Sequence, residues 1–105
     1  MIVFAIRLTG TNKYLPQVRN GGYSFTEFEE EGGQYGPRLH TSRRRAQQAL
    51  AAWRRGYHKP KWIRSHSFDG EDDEYELVVQ EVPERFNMRC EIVEFTLSER
   101  RVWEA

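Results

Sequence analysis

Apolar and polar residues alternate at the start of this chain. Ile2, Phe4, Ile6 and Leu8 interleave with Val3, Ala5 and Arg7, the period-two pattern of a strand with one face in a core. Thr9-Gly10-Thr11-Asn12 supplies a turn. Lys13-Tyr14-Leu15 reads as a returning strand that Pro16 ends, since proline lacks a ladder donor. Pro16 to Pro37 is loop-rich, punctuated by Gly21-Gly22, Gly32-Gly33 and Gly36. Within it Tyr23 to Phe28 alternates weakly and suggests a further short strand, and Glu29-Glu30-Glu31 suggests a solvated edge.

The pattern then changes to a helical period. Ala46, Ala49, Leu50, Trp53 and Tyr57 follow the i, i+3, i+4, i+7 spacing of an apolar stripe. Thr41 or Ser42 stands where an N-cap would accept from a first-turn N–H. Gly56 stands where a left-handed residue closes a helix. The alanines let the helix approach a sheet closely, and Trp53 brings most of the buried area. His58 to Ser67 is aromatic and basic, and Pro60 bars the helix from continuing. After a charged loop, Asp69 to Glu74, strands are expected at Tyr75 to Val82, ended by Pro83, and at Met88 to Leu97.

The predicted order is β-β-(β)-α-β-β. Short strands and tight connections favour an α+β fold: a small antiparallel sheet of about four strands with one amphipathic helix on one face. With 105 residues the chain makes one domain, residues 1–105. Charged residues form 30% of it and hydrophobic ones 38%, so the core must be compact and lean on its 13% of aromatic residues.

Charge divides the chain more sharply than its zero net total suggests. From Gly32 to Phe68 there are nine bases and no acid; from Asp69 to Ala105 there are twelve acids and four bases. Arg43, Arg44 and Arg45 occupy the helix's first turn, where cations oppose the dipole; Arg54 and Arg55 suit its last turn. Lys59, Lys61 and Arg64 follow, with Trp62 among them. These nine residues are the candidate binding set. Arginine forks suit phosphate and carboxylate, and aromatics beside bases can stack on nucleobases. A second interpretation stands beside it: the acidic half neutralises the basic half within the fold or across a dimer.

Catalytic chemistry finds little support. His40, His58 and His66 with Cys90 match no zinc spacing. Asp69 to Glu74 lacks the ligand order of a calcium loop. No glycine-rich phosphate motif is present. No enzyme activity, cofactor or metal is therefore expected. One cysteine excludes an internal disulfide and fits a reducing compartment. The early charge at Arg7 argues against a signal peptide, and no apolar run suffices to span a bilayer, so a cytoplasmic location without membrane attachment is expected.

Ile6-Arg7, Tyr14-Leu15-Pro16, Pro37-Arg38-Leu39, Ser42 with Ala46, Ala49-Leu50, Trp53 and Gly56, and Glu91-Ile92-Val93-Glu94 form a series of landmarks. Through them the chain resembles small proteins of tailed bacteriophages and prophages that carry no assigned activity. The resemblance implies a phage origin and expression in the bacterial host's cytoplasm. It also implies a binding role against host machinery, including a CRISPR effector or another nuclease complex. Two functions follow as expectations. In the first, the chain is a non-enzymatic inhibitor or adaptor for a host protein or nucleoprotein complex, acting through the basic helix or through an acidic half that mimics nucleic acid. In the second, it is a nucleic-acid-binding accessory protein using the same arginines. A homodimer paired through an edge strand such as Met88 to Leu97 is compatible with either.

Overall fold

In a computed structural model the chain forms an antiparallel body, one helix and a separate ribbon. Residues 1–18, 22–64 and 73–105 are described; the side chains of 61–64 and 73–76 lie outside the description. Strand β1, Ile2–Leu8, turns through Gly10 into β2, Lys13–Tyr14. A 3-10 helix spans Gly22–Phe25, and β3 spans Glu29–Glu30. Helix α1 covers Arg43–Arg55; β4 is Tyr57–Arg64 and β5 is Asp73–Gln80. A second 3-10 helix, Pro83–Asn87, leads to β6, Cys90–Thr96. The four-stranded sheet runs β3-β2-β1-β6, and β4 and β5 pair only with each other among the described residues.

The predicted α+β class and four-stranded antiparallel sheet are present, with two local differences. Tyr23 to Phe28 is not a strand: its first residues wind into the 3-10 helix, where Thr26 N–H and Oγ1 both bond to the Tyr23 carbonyl at 3.2 and 2.7 Å. The threonine hydroxyl offers that carbonyl a local partner that competes with a ladder. The strand before Pro83 forms, but it leaves the sheet and pairs with the basic segment after the helix, which itself becomes β4. The helix ends at Arg55, before Pro60 is reached, and Pro60 is accommodated within β4.

β1 and β6 form a long ladder from Ile2 opposite Thr96 to Leu8 opposite Cys90. The Met1 ammonium and Leu97 carbonyl, and the Leu97 amide and Met1 carbonyl, close it at 3.1 and 2.6 Å. Being central, β1 is covered on both faces: Ile6 packs toward the helix, while Val3 and Ala5 are also buried. Their face is shared in register by Val93, Phe95 and Tyr14, and the Tyr14 and Phe95 rings lie 6.2 Å apart. The helix side of β6 is supplied instead by Ile92 and Cys90.

The core joins Ile6, Leu15, Ala46 and Trp53, flanked by Phe4, Phe28, Ala49, Leu50, Met88 and Ile92. Ala46, Ala49, Leu50 and Trp53 of the helical stripe thus pack as their spacing predicts, whereas Tyr57, at its boundary, falls in β4. Ser42 caps the helix, its Oγ accepting from the Arg45 N–H at 3.1 Å. Trp53 is wholly buried, donates Nε1–H to the Thr26 carbonyl at 2.8 Å, and meets Phe28 edge to face at 5.3 Å.

The radius of gyration is 18.1 Å, against about 13 Å for a compact domain of this length. The ribbon and the exposed tail after Leu97 stand off the body. Among the described residues, the ribbon is seated on the body at its base. Tyr57 stacks on Phe25 at 5.1 Å and 11°, and the His58 N–H bonds to Ser24 Oγ at 3.0 Å. Beyond the base, Lys59, Pro60, Leu77, Val78 and Val79 are exposed.

Candidate functional site

Five of the nine candidate residues lie on α1 and four on β4. Arg43, Arg44, Arg45 and Arg55 are exposed. On a helical wheel Arg44 and Arg55 lie opposite the buried line of Ala46 and Trp53, about 16 Å apart along the axis. Arg43 and Arg45 flank them. None of the four has an ion-pair partner among the described residues. Arg54 is half-buried, and its Nη2 donates to the Met88 carbonyl at 2.9 Å, tying the end of the helix to the approach to β6.

The second part of the set lies in a different electrostatic setting. Lys59 is exposed; its Nζ donates to Gln80 Oε1 at 2.5 Å and lies 5.7 Å from the Tyr57 ring centroid. The ladder sets Lys61 opposite Glu76, Trp62 opposite Tyr75 and Arg64 opposite Asp73; the side chains of Lys61, Trp62 and Arg64 lie outside the described residues. Two bases of β4 therefore face acids of β5 in register. The register thus sets acidic positions across from basic ones in the ribbon, whereas the exposed arginines of α1 have no acidic partner among the described residues.

Next to α1, Arg38, Leu39, His40, Thr41, Arg45, Gln48 and Ala49 line a shallow cleft of about 470 Å³. Arg38 lies over the Tyr23 ring, its Cζ 4.1 Å from the centroid. Burial pushes the Tyr23 hydroxyl up to about 12, against a smaller downward pull from Arg38. His40 is 7% exposed, and its backbone exchanges hydrogen bonds of 2.9 and 2.7 Å with Phe4, holding the segment before α1 against β1. Its Nε2 is buried without a partner. Burial, and then the nearby Arg38, hold the imidazole below the ordinary histidine range.

The folded state therefore prefers neutral His40, while the unfolded chain takes up its proton near the ordinary pKa of about 6.5. The unfolded state binds more protons, so stability rises with pH. This contribution is full above about 6.5 and is lost as pH falls from there through the lowered folded value. Urea midpoints at pH 8 and pH 5.5 should differ more for the wild type than for His40→Gln. Equal differences would show that His40 is not the group responsible.

The residue that sequence reasoning passed over is Arg85, which stood among the acids as one of four scattered bases. It is 1% exposed. Its Nη1 donates to the Ser24 and Trp53 carbonyls at 2.8 and 2.7 Å, and its Nη2 reaches the Thr26 carbonyl at 3.5 Å and Glu27 Oε1 at 3.4 Å. Its Cζ lies 4.1 Å from the Trp53 ring centroid and 4.9 Å from that of Tyr57. Arg85 joins the first 3-10 helix, the end of α1 and the base of the ribbon. No spacing rule points to it; the only signal was an arginine directly before Phe86 in a short helix that starts at Pro83.

His58 Nε2 is likewise buried without a partner, and Cys90 is half-buried with its Sγ 3.7 Å from the Met88 carbonyl. His66 and the Asp69 to Asp72 part of the acidic loop lie outside the described residues. Among the described residues no three histidine, cysteine or acidic side chains converge to hold a metal ion. No helix there is long and apolar enough to cross a membrane. No family model, curated protein or solved structure matches the chain.

Proposed function

We propose that the chain is a non-enzymatic binding protein that engages a host protein or nucleoprotein complex through the outer face of α1. The observation that carries this reading is the exposed set of Arg43, Arg44, Arg45 and Arg55 on that face, none of which has an ion-pair partner among the described residues. Three of these stand in the first turn, where cations cost helix stability. A surface kept at that cost suits an acidic or phosphate-bearing partner, to which arginine forks bind in two-pronged geometry. A phage protein directed against host defence, such as an inhibitor of a CRISPR effector, fits the reading.

The alternative, an accessory protein for bare nucleic acid, draws on the same arginines. It is weakened because the ribbon's bases face acids in register. Four helix arginines on four phosphates would give a salt slope of only about −4 in log–log terms. The exposed apolar residues of β5 also suit protein better than phosphate.

Labelled single- and double-stranded DNA and RNA at low and moderate salt distinguish the two. The expected result is weak binding to each, together with co-purification of one host complex that the Arg44→Glu/Arg55→Glu variant loses. Tight, salt-sensitive binding of bare nucleic acid, abolished in that double variant, would overturn the protein-directed reading in favour of the accessory one.

A further inference from the structure

The ribbon presents a structural problem. A two-stranded hairpin is marginal in water, and three or more strands are ordinarily needed for stability. Yet β4 and β5 pair over eight residues each and leave the body after their base. Three consecutive apolar residues of β5 are exposed: Leu77 by 61%, Val78 by 39% and Val79 by 43%. Side chains alternate across a strand, so both faces of the ribbon carry apolar surface.

The two edges of the ribbon differ. Successive N–H groups of a strand point alternately to its two neighbours. Pro60 has no N–H, and the ladder continues through it opposite Leu77. Its position therefore faces the outer side of β4, and that edge lacks a donor there, a usual way of blocking strand addition. Leu77, as the partner of Pro60, points its own N–H and C=O to the outer edge of β5, as do Tyr75 and Val79. No proline interrupts Asp73–Gln80, and among the described residues this edge pairs with nothing.

We infer that β5 is the interface of a symmetric dimer, pairing antiparallel with β5 of a second copy about a two-fold axis through Val78. In this register Leu77 lies opposite the second copy's Val79, and both are residues whose backbone groups face outward. The two ribbons become one four-stranded sheet, β4-β5-β5-β4, ended on both sides by the proline-blocked strand. Acids are placed to suit it: Glu76 meets Gln80, Tyr75 meets Glu81 and Glu74 meets Val82, so no carboxylate faces another. A shift of the axis to Glu76 would set that residue against itself, which is unfavourable. A two-fold pairing also closes on itself rather than growing into a filament. β3 and β6, the edges of the four-stranded sheet, have less need of a partner, since that sheet already has four strands and a helix.

Light scattering over a range of concentrations tests the dimer, and Leu77→Lys tests the edge. Leu77 is too exposed for lysine to disturb the monomer's fold, whereas a lysine on an edge strand opposes pairing. The wild type should run at twice the chain mass. Leu77→Lys should run at the chain mass with an unchanged circular dichroism spectrum, its dimerisation weakened at least tenfold. In a Cys90→Ser background, Val78→Cys should form an intermolecular disulfide under mild oxidation, and Gln80→Cys should not, because register keeps its two copies apart. A monomeric wild type would overturn the proposal and leave the edge to a strand of another protein. A dimer unaffected by Leu77→Lys, or equal cross-linking at positions 78 and 80, would also overturn it.

Discussion

Replacing Arg85 with alanine is expected to lower stability by about 3–5 kcal/mol, the range for removing a large buried side chain. The loss has two sources. The guanidinium fills the space between the Trp53 and Tyr57 rings, and truncation leaves that space empty. Its Nη1 also serves the Ser24 and Trp53 carbonyls, and a buried acceptor left without a donor costs about 1–3 kcal/mol. The ion pair with Glu27 contributes little, being 3.4 Å long with a Glu27 side chain that is 62% exposed. Thermal unfolding should fall by at least ~12 °C, since 1 kcal/mol corresponds to about 4–8 °C in a domain of this size. Arg85→Lys separates shape from charge. An ammonium keeps the charge but cannot lie flat between two rings or serve two carbonyls in fixed geometry. It should recover less than half of the loss. Near-wild-type stability in Arg85→Lys would show that charge alone suffices and that the planar fit is unimportant.

Gly56→Ala is the second large effect. Gly56 has a φ of +122° and donates to the Trp53 carbonyl at 3.2 Å, ending α1. A Cβ there would lie 1.9 Å from the Gln80 carbonyl oxygen and 2.9 Å from the Glu81 Cα. Both are backbone atoms at the base of β5, so no side chain can move aside. Backbone strain of about 1–3 kcal/mol adds to an overpacking cost of similar size, and a loss of about 3 kcal/mol or more is expected. Gly10→Ala provides the control. Its φ is +77°, but nothing lies within 4 Å of a new Cβ, so only the left-handed strain of about 1–2 kcal/mol applies. Denaturant midpoints of the two variants isolate the contact between the end of the helix and the ribbon. Equal losses would show that this contact does not hold the ribbon's base.

By itself, the sequence determined the parts whose signals are local. The alternation at Ile2 to Leu8, the 3.6 period through Ala46 and Trp53, the Ser42 cap and the Gly56 stop all depend on neighbours within a turn or two, and each appears where the pattern places it. The candidate arginines were legible for the same reason: once the buried stripe is known, the opposite face of α1 follows from helical geometry. Partner choice was decided only by tertiary structure. Whether Tyr75 to Val82 joined the body or the basic segment depended on long-range pairing, and its apolar run suits a buried strand as well as an exposed ribbon. That pairing set acidic positions across from Lys61 and Arg64, while the exposed arginines of α1 have no ion-pair partner among the described residues, a division that composition cannot express. Arg85 became a buried strut for the same physical reason. An isolated arginine reads as solvated, and it is buried here only because two rings and two carbonyls from three distant segments meet around it.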